Sequence, residues 1–337
     1  MITEFLKEIE GINFIDIGSS GNLNPKWKNL EPYINLTGFD PNGDECQRMS
    51  ALPNNFRSLK YLPYAVAGDE DEHTLYKTKS IYCYSLLEPN TKWLNRFSFR
   101  ELFEIIGKES INTVLLSKIE SLKDLDADII KVDTQGLEFP ILSNAEDLMD
   151  KAFFIETETG FVQNYKGETT YAEIDLFMRS KGFLLFDLNT NHRISRNNIF
   201  KEDVTGSEQI LWCEATWMKD YISSFDKGLL SEDSINREKA LKILIICALQ
   251  GSIDFGFELA ILFNQLNILD QKELNLLQDK NNWMLIDLPS KPDDNLLKQN
   301  NNINLMGTFF RLLPACLRRD ISIQAQISVT KKHLFKL

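Results

Sequence analysis

The residues of this 337-residue chain best placed for chemistry are carboxylates, concentrated between positions 128 and 158. Asp128-Ile129-Ile130-Lys131-Val132-Asp133 reads as an apolar strand running into an acid, followed by a turn at Gly136 and a helix with Glu138 in its first turn. Phe153-Phe154-Ile155 begins a further strand, expected to end in Glu156, Thr157 and Glu158. Acids delivered to the carboxyl ends of two neighbouring strands crowd one cleft and raise one another's pKa, which makes a base able to accept a hydroxyl proton near neutral pH. Asp133 is the residue on which chemistry should most depend, with Glu138 and Glu156 in support. Two roles stay open for it: proton acceptor, or, with Glu156 or Glu158, oxygen ligand to a divalent cation. The cation is the less favoured reading, because no histidine or asparagine completes the set. Capping of the helix near Gly136 is the purely structural alternative.

A second group lies near the start of the chain. Phe14-Ile15-Asp16-Ile17 is a short apolar run closed by Gly18, and Gly18 and Gly21 flank Ser19 and Ser20, a turn that lets backbone approach a ligand closely. A helix following that turn would aim free N–H groups at the ligand. About twenty residues on, Leu36-Thr37-Gly38-Phe39 leads into Asp40 and Pro41, where an acid at the end of a second strand can hold a ribose diol. A dinucleotide fingerprint fits poorly, since Leu23 stands where a third glycine belongs and Asp16 would face a pyrophosphate. S-adenosylmethionine carries an ammonium and a sulfonium and no phosphate, so Asp16 and Asp40 suit it better than NAD. Leu59 to Ala67 reads as one third strand, which would put Ala67, Gly68 and Asp69 beside the adenine.

Four segments, Phe-Ile-Asp-Ile-Gly-Ser-Ser-Gly, Gly-Phe-Asp-Pro, Ala-Val-Ala-Gly-Asp and Ile-Lys-Val-Asp-Thr-Gln-Gly-Leu-Glu, resemble the FkbM-type methyltransferases over residues 12 to about 217. The last segment is the most specific, with Lys131, Asp133, Gly136, Glu138, Ile141 and Leu142 on the family pattern. Position 135 departs from it, holding Gln where Glu is common. The resemblance implies a Rossmann-like α/β class I sheet of seven mostly parallel strands, the last antiparallel. It also implies S-adenosylmethionine as methyl donor and a hydroxyl oxygen as acceptor, on a carbohydrate or secondary metabolite. A noncatalytic cofactor-fold scaffold is the alternative, and an NAD-dependent oxidoreductase a weaker one.

The elements that must position these residues are legible to different degrees. Thr74 to Tyr76 and Ser80 to Leu87 read as extended segments at an active-site rim, and 95–107 as a helix. Thr169 to Ser180 has the apolar spacing of an amphipathic helix stopped by Lys181-Gly182. Phe183 to Phe186 and Gln209 to Ala215 supply the last two strands. The polar loop between them contains His192, expected to be solvated. From about residue 219 the strand and turn pattern gives way to helical spacing over Glu238–Leu249, Phe255–Leu266 and Gln271–Gln278. The expected division is therefore a methyltransferase domain over 1–218 and a mainly helical region over 219–337, which includes a helix over 305–319 and a basic tail. That region serves packing or dimerisation, or else forms a lid.

Composition narrows the partners. A net charge of −12 disfavours nucleic acid. Five widely spaced cysteines without a C-x-x-C pair suggest reduced thiols and a cytoplasmic protein. No apolar run reaches the roughly 18 residues of a membrane span. A small-molecule or glycan acceptor and a possible homodimer complete the expectation.

Overall fold

The computed structural model describes residues 1–21, 23–197, 209–230 and 235–284. Its centre is a seven-stranded sheet. The strands in chain order are β1 (Ile12–Ile17), β2 (Ile34–Phe39), β3 (Ser58–Leu62), β4 (Ala65–Ala67), β5 (Glu72–Thr78), β6 (Ile105–Leu115), β7 (Ile129–Val132), β8 (Phe154–Gly160), β9 (Phe183–Asn189), β10 (Arg193–Ile194), β11 (Gln209–Ile210) and β12 (Trp212–Lys219). The main sheet runs β3-β2-β1-β7-β8-β12-β9, all parallel except β12, which is inserted antiparallel between β8 and β9. Central parallel strands are covered on both faces, which is why β1 and β7 read as nearly continuous apolar runs.

The helices are α1 (Ile2–Phe5), α2 (Gly43–Ala51), α3 (Thr91–Leu94), α4 (Glu138–Ser143), α5 (Glu146–Lys151), α6 (Tyr171–Ser180), α7 (Tyr221–Asp226), α8 (Arg237–Gln250), α9 (Ile253–Gln265) and α10 (Gln271–Leu277). On one face of the sheet α4, α5 and α6 bury Ile141, Met149, Ile174 and Met178 against Ile15, Ile130 and Ile155. The other face holds a difference from expectation: the β1–β2 connection is a 3-10 helix over Pro25–Tyr33 rather than an α-helix. Pro32 inside it lacks the N–H an α-helix would need, and Pro25 opens it under an Asn24 cap. Trp27 from this slim segment packs edge-on against Phe14 and Phe154, at 5.1 and 5.4 Å between ring centroids. The C-terminal helices complete the layer: α8 is buried around its whole circumference from Lys239 to Leu249, in one core with Phe14, Trp27, Phe154 and Met218.

Three other expectations are corrected. The single strand over 59–67 breaks at Pro63, which has no N–H to give a ladder; the chain leaves the main sheet after Leu62 and Ala65–Ala67 pairs instead with β6. Residues 95–107 do not form one helix. They make a short turn around Phe97, a 3-10 helix over Arg100–Phe103 and the start of β6, which is rich in the strand formers Ile105, Ile106, Ile111 and Val114 and pairs antiparallel with β5 over Ile105–Asn112. The strand through Glu156 and Glu158 does not end with them but runs on to Gly160. The helices expected near the C-terminus appear within two residues of their forecast ends as α8, α9 and α10. The helix expected over 305–319 and the basic tail lie outside the described residues, as does everything after residue 284 in the expected 219–337 region. Among the described residues no helix is long and apolar enough to cross a membrane, and the four described cysteines are buried free thiols.

Candidate functional site

The carboxyl ends of β1, β2 and β7 open into a cleft of about 530 Å³, inside the roughly 300–1,000 Å³ range of small-ligand sites. Its floor depends on Gly18, whose φ is 78° and whose missing Cβ would lie 1.8 Å from the Asp133 carbonyl oxygen. No other residue lets the end of β1 approach the end of β7 so closely. The Gly18 and Ser19 amides donate to Phe39 at 2.9 and 3.0 Å, which locks the turn to β2. Gly18, Ser20, Asp40, Pro41 and Asp133 line the cleft, as does Glu45, which accepts from the Gly21 amide at 3.3 Å. Ser19 is buried beneath the turn with its hydroxyl lacking a hydrogen-bond partner. Asp40 accepts from the Asn42 amide at 2.7 Å, and burial, the largest influence, pushes its pKa up to about 6.

Other residues expected at the cofactor are elsewhere. Asp16 does not line the cleft; its buried carboxylate is 3.3 Å from Lys131 Nζ, and desolvation raises its pKa against the pull of that ammonium. Ala67, Gly68 and Asp69 also lie outside, because the break at Pro63 redirects the chain. Gly68 packs on Pro140, and Asp69 pairs with His73 at 2.7 Å. Tyr64, Ala65 and Val66 take the cleft wall in their stead, opposite Leu75 and Ile111 of the β5–β6 rim. Five acids line this cleft, Asp40, Asp44, Glu45, Glu109 and Asp133, against one lysine, Lys77, which is ion-paired to Glu109. That donor set suits a cationic ligand without phosphate.

The segment after β7 joins this cleft to a second cavity. Gln135 has the left-handed φ of 59°, a conformation a non-glycine residue keeps only under constraint, and Gly136 follows at 111°. The constraint is visible: Glu138 accepts from the Thr134 amide at 2.9 Å and from the Gly136 amide at 3.1 Å. Ser85 donates to the Gln135 carbonyl at 2.8 Å. Glu138, expected to support catalysis, is buried under this turn with its oxygens engaged by backbone and lines neither cavity; burial pushes its pKa up to about 7. The Gln135 amide donates to Asp133 Oδ1 at 3.0 Å and reaches Glu158 Oε1 at 3.4 Å, and its oxygen accepts from the Tyr165 hydroxyl at 3.0 Å.

Gln135 lines both cavities. The second, about 130 Å³, is walled by Phe99, Leu102, Phe103, Tyr165 and Trp212, with Glu158 as a carboxylate at its edge. Desolvation, then the Asp133 and Glu214 charges, raise the Glu158 pKa well above the ordinary carboxylate value. Glu156 faces elsewhere, into a polar recess with Asn24 and Asn189, and is ion-paired to Lys26. Two residues along an extended strand share a face, but Lys26 from the 3-10 segment claims Glu156 and leaves Glu158 to the apolar cavity. His192 is fully buried rather than solvated, stacked on Trp212 with centroids 5.4 Å apart. Among the described residues no group of three or more His, Cys, Asp or Glu is set to hold a metal ion.

The strand order, with one antiparallel strand inserted before the last edge, is the Rossmann-like α/β arrangement of the class I S-adenosylmethionine-dependent methyltransferases. Residues 29–185 match the model of the methyltransferase FkbM domain. A search of curated proteins finds no match. Among solved structures the chain is similar to a TehB-like S-adenosylmethionine-dependent methyltransferase from Corynebacterium glutamicum, at 12% identity over 65% of this chain and 87% of that one, TM-score 0.31. It is similar to a precorrin-6y C5,15-methyltransferase from Geobacter metallireducens at 11% identity, covering 65% and 85%, TM-score 0.32. A magnesium protoporphyrin IX methyltransferase from Synechocystis, with the methyl donor bound, shares 8% identity over 65% and 76%, TM-score 0.32.

Proposed function

We propose that the protein transfers a methyl group from S-adenosylmethionine to a hydroxyl oxygen of a small acceptor. The observation that carries this reading is the junction at Gln135, which joins an acid-lined nucleoside cleft to a separate cavity edged by a carboxylate. Asp40 is placed to accept from the ribose hydroxyls, while Tyr64, Val66 and Leu75 offer an apolar wall for the adenine. Asp133, at the end of β7, supplies negative charge on the side of the cleft nearest the second cavity. The bound donor brings an electrophilic methyl on a positively charged sulfur, so the protein's part is alignment and removal of one proton. Glu158 is suited to that proton, being on the acceptor side and held at a raised pKa; Asp133 and Gln135 position it. This assignment moves the base from Asp133 to its neighbour across Gln135, and keeps Glu138 as the brace of the turn.

Incubation with methyl-labelled donor and a panel of hydroxylated small molecules tests the reading. Label should enter an ether-linked methyl stable to mild base, whereas a base-labile ester or a labelled amine would show another acceptor atom. Calorimetry should detect S-adenosylhomocysteine and not NAD.

A further inference from the structure

The second cavity limits what the acceptor can be. Its walls are rings and aliphatic side chains: Phe99 is edge-on to both Phe103 and Trp212, at 5.2 and 5.8 Å between centroids, and Phe103 is edge-on to Tyr165 at 5.8 Å. Such a box gives a planar guest apolar faces and ring edges. Its volume of about 130 Å³ is close to that of the roughly 150 Å³ apolar cavity known to take benzene, so one six-membered ring fills it.

The few polar atoms are specific. Trp212 Nε1, Thr159 Oγ1 and Asn164 Oδ1 belong to cavity-lining residues more than nine-tenths buried, and none has a hydrogen-bond partner. These three atoms are themselves almost wholly inaccessible, so they offer a guest in the cavity no hydrogen-bond partner. Tyr165 and Glu168 are already committed, the first to Gln135 and Cys83, the second to the Asn164 and Tyr165 amides at 2.6 and 2.9 Å. A pyranose would bring several hydroxyls into a box with few free partners, and each one left unpaired weakens binding by roughly tenfold or more.

We propose that the acceptor is a phenol-type hydroxyl on a single planar aromatic ring, seated among Phe99, Phe103, Tyr165 and Trp212 with its oxygen toward Glu158, and not a carbohydrate. The inference rests on the methyl-donor reading above and narrows its acceptor. In the step, the phenolic oxygen forms a bond to the methyl carbon as the carbon–sulfur bond breaks. The electron pair of that bond stays on sulfur, and the phenolic proton passes to the Glu158 carboxylate. A phenol, with a pKa near that of tyrosine at about 10, yields its proton to a carboxylate far more readily than an alkyl alcohol does.

The test uses the full chain with phenol, catechol and methyl α-glucoside as probes. Binding is measured by calorimetry with and without S-adenosylhomocysteine, and transfer with labelled donor. Phenol or catechol should bind and become labelled as the methyl ether, with no label in the glucoside. Leu102→Trp, which fills the cavity, should weaken phenol binding at least about tenfold while S-adenosylhomocysteine affinity stays within about twofold, which also certifies that the variant folds. Ile194→Trp serves if the first variant fails to fold. Labelling of the glucoside and not of the phenols, or phenol affinity untouched by a folded, filled variant, overturns the acceptor assignment and leaves the donor reading intact. Absence of S-adenosylhomocysteine binding to the folded wild type overturns the donor reading, and the transfer step with it.

Discussion

Gln135 and Asp133 are two residues apart and joined side chain to side chain, Nε2 to Oδ1 at 3.0 Å, across a backbone held at φ 59°. The same amide reaches Glu158, so a neutral donor separates two carboxylates that would otherwise face each other. Gln135→Glu, the residue common in the family, removes that donor and adds a third acid. We expect it to destabilise the protein by about 1–3 kcal/mol at pH 8. The loss should shrink on acidification, because the added acid has a raised folded pKa and its cost vanishes once it is protonated. Urea melts at pH 5 and pH 8 check this; equal stability of variant and wild type at pH 8 would sink the separator role.

Asp40 carries a pKa of about 6 against an unperturbed 3.8. A carboxyl whose folded pKa is raised binds its proton more tightly in the folded state, so between about pH 4 and 6 stability falls as pH rises and then levels off. Asp40→Asn should therefore raise the melting temperature at pH 7 while weakening S-adenosylhomocysteine binding by on the order of 1.5–3 kcal/mol, the scale of hydrogen bonds to a charged group. Wild-type affinity should drop below pH 6 as Asp40 protonates. Differential scanning fluorimetry and calorimetry at pH 5, 6 and 7 read both effects, and an Asp40→Asn variant that binds normally would remove the ribose assignment.

The two candidate bases separate by their pH profiles. Glu158→Gln should lower turnover at least about a hundredfold and abolish the acidic limb of the rate profile. Asp133→Asn should move that limb to lower pH, because the Asp133 charge is one of the influences that raise the Glu158 pKa. If Asp133→Asn instead abolishes the limb and Glu158→Gln keeps it, the base is Asp133, as the strand-end position alone suggested. Sensitivity of the wild type to chelator would restore the cation reading of the same acids.

The sequence revealed most where local rules and tertiary packing agree. The apolar runs of β1 and β7, the Thr170 and Glu173 capping box of α6 and the Gly251 stop of α8 all serve the fold they announce. Gly18 and Asp40 line the cleft as the sequence led one to expect, because a glycine turn and an acid at the end of a strand fall at the carboxyl edge of a parallel sheet. Asp16, by contrast, looked like a ligand group because nothing in the chain tells that Lys131, aligned with it across β1 and β7, will claim it. Pro63 marks the break after β3, and the turn it enforces sends Ala67 to Asp69 away from the cleft. The aromatic cavity draws Phe99, Phe103, Tyr165 and Trp212 from three separate stretches of chain, so no local spacing could reveal it.

The last relationship with a measurable consequence ties the C-terminal helices to the sheet. Asp128 is almost fully buried just before β7, where its carboxylate meets Lys239 at 2.7 Å and Lys242 at 3.3 Å, both from α8, and accepts the Asn13 amide at 2.9 Å. Lys239 also donates to the Ala127 carbonyl at 3.0 Å. Asp128→Ala leaves two buried ammonium groups facing each other with one fewer counter-charge, and should cost about 3–5 kcal/mol. Replacing Asp128, Lys239 and Lys242 together by leucine should recover most of that loss, since a well-packed apolar set avoids the desolvation penalty of the ions. Removing the helices altogether, by ending the chain after Leu230, should expose Phe14, Trp27 and Phe154 and drive aggregation, because α8 and α9 share one apolar core with these rings. Urea midpoints for the point variants and size-exclusion profiles for the truncation decide the matter. An Asp128→Ala protein within about 1 kcal/mol of wild type, or a monomeric truncated protein that still binds S-adenosylhomocysteine, would show that α8 is an accessory to the sheet and not part of its core.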